Sequence, residues 1–405
     1  MSLLSRLSDQ KTWEAFLEYK QSLVGNTAFS EELSAFVREK RYLAPAGKIQ
    51  AGEPFPLPKR AVISKLGSQK KRTVYIYPEP ENTVLKLLTY LLLRRYDSVF
   101  SPNLYSFRGG RCAKDAMRRF CSMPEMRELY AYKADISNYF NTVNVSLLLP
   151  KLKTVLHDDP PLFAFLESLL LESEVLENDM PVPEEKGIMA GTPLSAFYAN
   201  LYLKELDAAF YEKRVPYARY SDDIIVFAKT SEKTKEYAEQ IRDFLCEYNL
   251  SINSEKEHFF SPEEGWNFLG FSYCKGKVDI APATVKKLKR KMRRKARALM
   301  RWSIRNEFEP ERAAVAFIRV FNRKLLETTE DNELSWGRWF FSVINSTKCL
   351  REIDLYAQDC LRYLLSGKRT KARFNARYET LKNLGYRNLV HEYYAYRKDE
   401  VGEVE

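Results

Sequence analysis

An α+β fold follows from three features of this 405-residue chain. Tyr217 to Ala228 holds two short β-branched and aromatic runs parted by Ser221-Asp222-Asp223, the pattern of a β-hairpin with an acidic tip. Between residues 82 and 248, several leucine-rich blocks carry apolar residues at helical spacing. Beyond about residue 283 the pattern is helical to the end. With 45% hydrophobic residues the chain can bury a large core. Its 65 Lys and Arg against 54 Asp and Glu leave a charge of +11, which suits a polyanionic partner.

The elements follow in order. Thr12 to Val24 and Ser30 to Tyr42 read as two short amphipathic helices, Ser30 capping the second. The Pro-rich passage Pro54 to Pro58 sets residues 1–50 apart as a helical extension. Asn82 to Tyr96 is apolar at helical spacing. Tyr132 to Asp135 is a short apolar strand ending on a carboxylate. Residues 145–175 are leucine-rich and broken at Pro160-Pro161 into two helices. Gly187 to Gly191 is a Gly-rich turn that opens into a long apolar helix with Asn200 facing inward. Tyr237 to Tyr248 reads as a further helix, and Lys275-Gly276-Lys277 as a hairpin turn.

Thr284 to Arg301 is a helix so dense in Lys and Arg that it repels itself unless counter-charge lies along it. Lys287, Arg290 and Arg294 are its phosphate-facing candidates, since a nucleic-acid backbone would supply that charge. In Leu350 to Tyr396, cations interleave with aromatics. Lys368, Arg369, Lys371 and Arg373 are the candidates for gripping RNA, whereas Tyr393 and Tyr394 read as core of a terminal bundle.

Several classes are disfavoured. The six cysteines, at 112, 121, 246, 274, 349 and 360, form no Cys-x-x-Cys pair, which argues against a zinc knuckle or a disulfide framework and fits a reducing cytosol. The first ten residues hold no apolar core for secretion. Leu87 to Leu93 is too short and too interrupted to span a membrane. His157, His258 and His391 lie far apart in sequence. The expectation is a cytoplasmic protein.

The chemistry concentrates at Asp222-Asp223. Adjacent like charges at a tight turn repel unless a cation sits there, and Mg²⁺ takes hard oxygen ligands while leaving room for phosphate oxygens. Asp135, at its strand end, can face the same tip. Taken singly, a solvated turn and a helix-capping aspartate remain open alternatives.

In order and spacing, these blocks resemble the reverse transcriptase family. They are the strand at Asp135, the loop and helix from Gly187, Tyr220-Ser221-Asp222-Asp223, Leu250 to Lys256, and Asn267 to Phe271. Lys70 to Pro78 and Leu104 to Arg111 match the blocks that precede them. The resemblance covers roughly residues 55–275. It implies a right-hand polymerase fold: fingers and palm over 51–275, the palm an antiparallel sheet with helices behind it, then an α-helical thumb and RNA-binding region over 276–405.

It also implies roles. Asp135, Asp222 and Asp223 would hold two Mg²⁺ ions, with Mn²⁺ as substitute. Lys65 and Arg72 would clamp the triphosphate, and Lys256 would protonate the leaving pyrophosphate. Phe140 would exclude a ribose 2′-hydroxyl. Ala190 and Gly191 would line the nucleotide site, Ala190 standing where many members carry glutamine. Tyr220, Ser221 and Arg108 would touch primer and template.

The Ala-Gly-Thr-Pro-Leu-Ser loop is similar to bacterial reverse transcriptases of phage defence, relatives of group II intron and retron enzymes. The partners then expected are dNTPs, a cDNA product and a neighbouring structured non-coding RNA as template, with no membrane and with oligomers allowed. Two other readings stand beside this one. One is template-independent or protein-primed DNA synthesis; the other is a non-catalytic, maturase-like RNA scaffold.

Overall fold

The computed structural model describes residues 2–23, 27–64, 71–185, 187–327, 335–368 and 375–402. The chain forms two compact units. One comprises Met1–Ala116 with Glu128–Ser261, the other Met117–Arg127 with Pro262–Glu405.

The first unit starts with helices α1 (Gln10–Leu23), α2 (Thr27–Arg38) and α3 (Leu43–Ala51). They gather on Trp13, which is fully buried, stacks on Tyr42 at 4.9 Å and meets Phe36 at 5.4 Å. Helix α2 begins before the expected Ser30 cap. The nearest breaker upstream is Gly25, so nothing in the sequence stops the helix at Ser30. Helix α3 was not expected, because Pro45 and Gly47 lie in it. Pro45 is tolerated in the first turn, and Gly52 ends the helix in the left-handed conformation at φ 71°.

Strands β1 (Lys59–Ser64) and β2 (Lys71–Ile76) form an antiparallel hairpin, followed by α4 (Glu81–Arg95). Helix α4 buries Val84, Leu85, Leu87, Leu88, Leu91 and Leu92 in the main core, each contributing about 1.5–3 kcal/mol. Helix α5 (Ala113–Cys121) runs across the boundary between the units. Strand β3 (Tyr130–Asp135) follows, then α6 (Tyr139–Thr142), α7 (Val145–Val155) and α8 (Pro160–Leu171).

Strands β4 (Glu174–Glu177) and β5 (Met180–Pro183) extend the hairpin sheet to the order β2-β1-β4-β5. The long helix expected after the Gly-rich turn is two short ones, α9 (Ser195–Tyr202) and α10 (Lys204–Glu212). They break at Leu203, whose φ of −109° and ψ of 20° leave the helical region. Strands β6 (Tyr217–Tyr220) and β7 (Asp223–Ala228), helix α11 (Ser231–Glu247) and strand β8 (His258–Phe260) complete the second sheet, ordered β6-β7-β3-β8 and antiparallel throughout. Helix α11 lies against β3 and β7.

The second unit has a three-stranded antiparallel sheet of β9 (Trp266–Phe268), β10 (Phe271–Cys274) and β11 (Lys277–Ile280). Helices α12 (Pro282–Arg305), α13 (Pro310–Leu325), α14 (Trp336–Phe341), α15 (Lys348–Ser366), α16 (Tyr378–Asn383) and α17 (Leu389–Gly402) follow. Helix α12 buries one stripe, Val285, Met292, Ala296 and Leu299, and packs against α13 and α15. Buried Asp354 on α15 accepts hydrogen bonds from the Leu389 N–H at 2.9 Å and the Tyr386 hydroxyl at 2.7 Å, tying α17 down. Tyr393 is buried and donates to the Ile344 carbonyl. Tyr394, expected in the core, is exposed, because the next residue on a helix points about 100° away. Among the described residues no helix is long and apolar enough to cross a membrane. All six cysteines are free.

Candidate active site

The acidic tip is built by backbone register. Strands β6 and β7 turn over Ser221-Asp222, and Asp223 pairs directly opposite Asp135 on β3. The Ile136 N–H donates to the Asp222 carbonyl at 2.9 Å, locking the turn to the β3 terminus. Ser221 sits in the left-handed region at φ 59°, a conformation that costs a non-glycine residue of order 1–3 kcal/mol.

That strain is held from below. The Ser221 N–H donates to the Ser106 hydroxyl at 2.9 Å, and the Ser221 carbonyl accepts from Arg219 at 3.2 Å. Arg219 is fully buried. Its guanidinium forks onto Asp207 at 2.6 and 2.9 Å and also reaches the Ala199 and Asn200 carbonyls. Burial works against the guanidinium's charge, and the Asp207 carboxylate more than offsets it. Asn200 faces inward as expected, bonded to Ser106 rather than to the acidic tip.

Two ammonium groups shield the carboxylates. Lys256 Nζ stands 2.6 Å from Asp135 Oδ1, and Lys133 Nζ 3.6 Å from Asp223 Oδ1. Burial, then the Asp135 charge, pushes the Asp222 carboxyl above its ordinary range. Burial pushes Asp223 up as well, against the pull of Lys133. Crowded hard-oxygen donors suit Mg²⁺ by chemistry. As they stand, no three acidic, His or Cys side chains among the described residues surround one point, and ammonium groups lie against Asp135 and Asp223.

A second cluster is assembled from β2, α6 and the Gly-rich loop. Gly187, at φ 51°, lies so close to the backbone of Phe140 and Asn141 that a Cβ would come within 2.6 Å of the Phe140 carbonyl. The Ala190 N–H donates to Asn141 Oδ1 at 3.2 Å, and the Ala190 carbonyl accepts from the Tyr75 N–H at 2.8 Å. Gly191, at φ 102°, lets the loop lie against Val74 and Tyr75. Phe140 is half-buried, with the exposed Arg72 guanidinium 5.8 Å from its ring centroid. The loop, Phe140 and Arg72 therefore belong to one neighbourhood. Lys65 lies outside the described residues.

The nucleic-acid candidates divide. Tyr220 borders the tip, its ring 6.4 Å from that of Phe107. Arg108 is corrected to a structural role. Its side chain is 4% exposed, forks onto Asp97 at 2.7 and 2.8 Å and donates to the Ser101 carbonyl, leaving it no donor fork for a phosphate. Lys287, Arg290 and Arg294 are exposed on α12, and Lys368 is exposed beyond α15, all in the second unit. Arg369, Lys371 and Arg373 lie outside the described residues. Sequence reasoning missed Lys133, Asn141 and the Arg219–Asp207 pair. Lys133 was within reach, two residues from Asp135 and so on the same strand face.

The family model described as reverse transcriptase (RNA-dependent DNA polymerase) matches residues 59–273. Protein YkfC of Escherichia coli (strain K12) is 22% identical over 262 residues, covering 55% of this chain and 68% of its own length. Among solved structures, apo telomerase from Candida tropicalis truncated from its C-terminal domain gives a TM-score of 0.46 at 13% identity, over 55% of each chain. The chain thus spans about half the length of that relative. Telomerase from Candida albicans in complex with a TWJ fragment of telomeric RNA gives 0.47 at 11% identity, over 88% of this chain and 71% of that one.

Proposed function

The chain belongs to the reverse transcriptase (RNA-dependent DNA polymerase) family, and on that premise we propose that it copies an RNA template into cDNA from dNTPs. The observation that carries this reading is the register placing Asp135 opposite Asp223, with Asp222 held beside them at a locked turn. Residues 51–275 then serve as fingers and palm, and 276–405 as thumb and RNA grip, after a helical extension over 1–50.

Two Mg²⁺ ions held by Asp135, Asp222 and Asp223 would lower the pKa of the primer 3′-hydroxyl and neutralise the triphosphate. Arg72 presents a planar fork to the triphosphate from above Phe140. The Phe140 ring, beside that guanidinium, would exclude a 2′-hydroxyl by contact. Lys256 carries a proton beside Asp135 and delivers it to the departing pyrophosphate. Ala190 offers no polar side chain to the nucleotide, and its carbonyl is already taken by Tyr75, so the loop acts through backbone shape.

The Ala190-Gly191-Thr192-Pro193-Leu194-Ser195 loop supports a finer reading. The template is a structured non-coding RNA encoded nearby, and the setting is cytoplasmic antiphage defence. To test it, the wild-type chain and Asp222→Ala are expressed with the native flanking DNA, purified, and their bound RNA and DNA sequenced. One enriched RNA in both, with complementary DNA in the wild type alone, is the expected result. Equal DNA in both would overturn polymerisation at Asp222, and DNA matching no RNA would replace templated with untemplated synthesis.

A further inference from the structure

Helices α12 and α15 leave between them a hollow of about 640 Å³, lined also by the β10–β11 hairpin. Lys286, Lys289 and Arg293 line it from α12, recurring at the spacing that puts side chains on one helix face. The hairpin adds Lys277, and α15 adds Lys348, Glu352 and Tyr356. Arg293 and Tyr356 also line a second hollow, of about 210 Å³, which continues the groove to Arg297 and Tyr363.

The acids in this groove are already answered. Glu352 is matched by Lys289 at 2.5 Å, Asp279 accepts from the Ser346 hydroxyl at 2.8 Å and the Ile280 N–H at 2.8 Å, and Asp359, in the wall of the second hollow, is itself engaged. Lys277, Lys286, Arg290, Arg293 and Lys348 have no ion-pair partner among the described residues. Five unmatched cations facing one hollow repel one another, and a polyanion relieves that repulsion.

Two features select the ligand. From Lys286 to Arg297 the cations extend over about 16 Å at 1.5 Å per residue, so they track a backbone rather than converge on one anion. Tyr356 and Tyr363, two turns apart on one face of α15, are half-buried in the groove wall, with Lys289 Nζ 5.2 Å from the Tyr356 ring centroid. A duplex shows only the edges of its bases to such rings, whereas an unpaired strand offers their faces. We propose that the α12–α15 groove binds single-stranded nucleic acid, the cations holding phosphates and the tyrosines stacking bases. The inference deepens the reading of residues 276–405 as a nucleic-acid-binding region.

The test is fluorescence anisotropy of the full chain with labelled oligo(U) RNA and oligo(dT) DNA, competed by a blunt duplex and by poly-glutamate. Tyr356→Ala should weaken single-strand binding about tenfold, with Tyr356→Phe close to wild type. Arg293→Glu should weaken it by about tenfold or more and flatten the salt dependence. Asp222→Ala should bind as wild type, so a chain that makes no DNA still tests the groove. Preference for RNA over DNA would identify the 2′-hydroxyl as a contact, and loss of either strand's binding on these groove substitutions supports the groove.

The proposal is overturned if folded Tyr356→Ala and Arg293→Glu both bind as wild type. It is equally overturned if duplex or poly-glutamate competes as well as single strand. Should the variants unfold, photocross-linking of 4-thiouridine RNA to the wild-type chain decides. Adducts on α15 peptides carrying Tyr356 or Tyr363 support the groove, and adducts confined elsewhere overturn it.

Discussion

Replacing Arg219 with methionine removes a guanidinium that makes contacts at 2.6, 2.9 and 3.2 Å to Asp207 and three more to backbone carbonyls. The Asp207 carboxylate is left buried, with Tyr217 as its remaining side-chain partner. Breaking such a pair costs about 3–5 kcal/mol, because one charge stays in the interior without compensation. For a domain of this size that is a fall in Tm of about 6–20 °C. The same substitution frees the Ser221 carbonyl, so the left-handed turn loses an anchor and DNA synthesis should fall further than folding alone explains. Calorimetry on Arg219→Met, Asp207→Leu and the double variant checks the magnitude. The double variant should recover much of the loss, since an apolar pair of similar volume is near neutral. A single variant within 1 kcal/mol of wild type would refute the account.

Three further outcomes are expected. Phe140→Ala should lower the preference for dNTPs over rNTPs by about 10–200-fold, and an unchanged ratio of kcat/KM values would remove the ring from that role. Gly187→Ala puts a Cβ 2.6 Å from a backbone carbonyl at positive φ. It should destabilise the unit by more than about 1 kcal/mol in urea melts and raise KM for dNTP; a stabilised variant would contradict that placement. Arg108 hydrogen-bonds Asp97 and holds its carboxyl below the ordinary range. That stability is fully present above about pH 4 and is lost as pH falls through the lowered value. Arg108→Met should abolish this acid-side loss, and identical pH profiles would show that the pair carries none of it.

What could be read from the sequence was local. The hairpin at Asp222 follows from strand propensities on both sides of a turn, and the helices at Asn82 and Pro160 follow from leucine spacing and a proline break. What escaped depended on partners remote in sequence. Arg219 reads as an exposed cation on a strand, and only its encounter with Asp207, across the α10–β6 connection, makes it the support of the tip. Arg108 sits before Gly109-Gly110, which reads as an open loop, while the residue that claims it, Asp97, lies eleven positions back. Lys133 could have been read two residues from Asp135 on the same strand face, although its pairing with Asp223 comes from the neighbouring strand. Leu203 breaks its helix without any local breaker.

The bonds from β2 to the Gly-rich loop have a mechanical consequence. The Tyr75 N–H is bonded to Ala190, and the Thr73 carbonyl accepts from Asn141 at 3.4 Å. Strand β2 is thus stitched to the Gly-rich loop and to α6 up to Thr73, and Arg72 is the first residue past the last stitch. On the proposed reading, the cation that would meet the triphosphate and the frame that would shape its berth part at the peptide bond between Arg72 and Thr73.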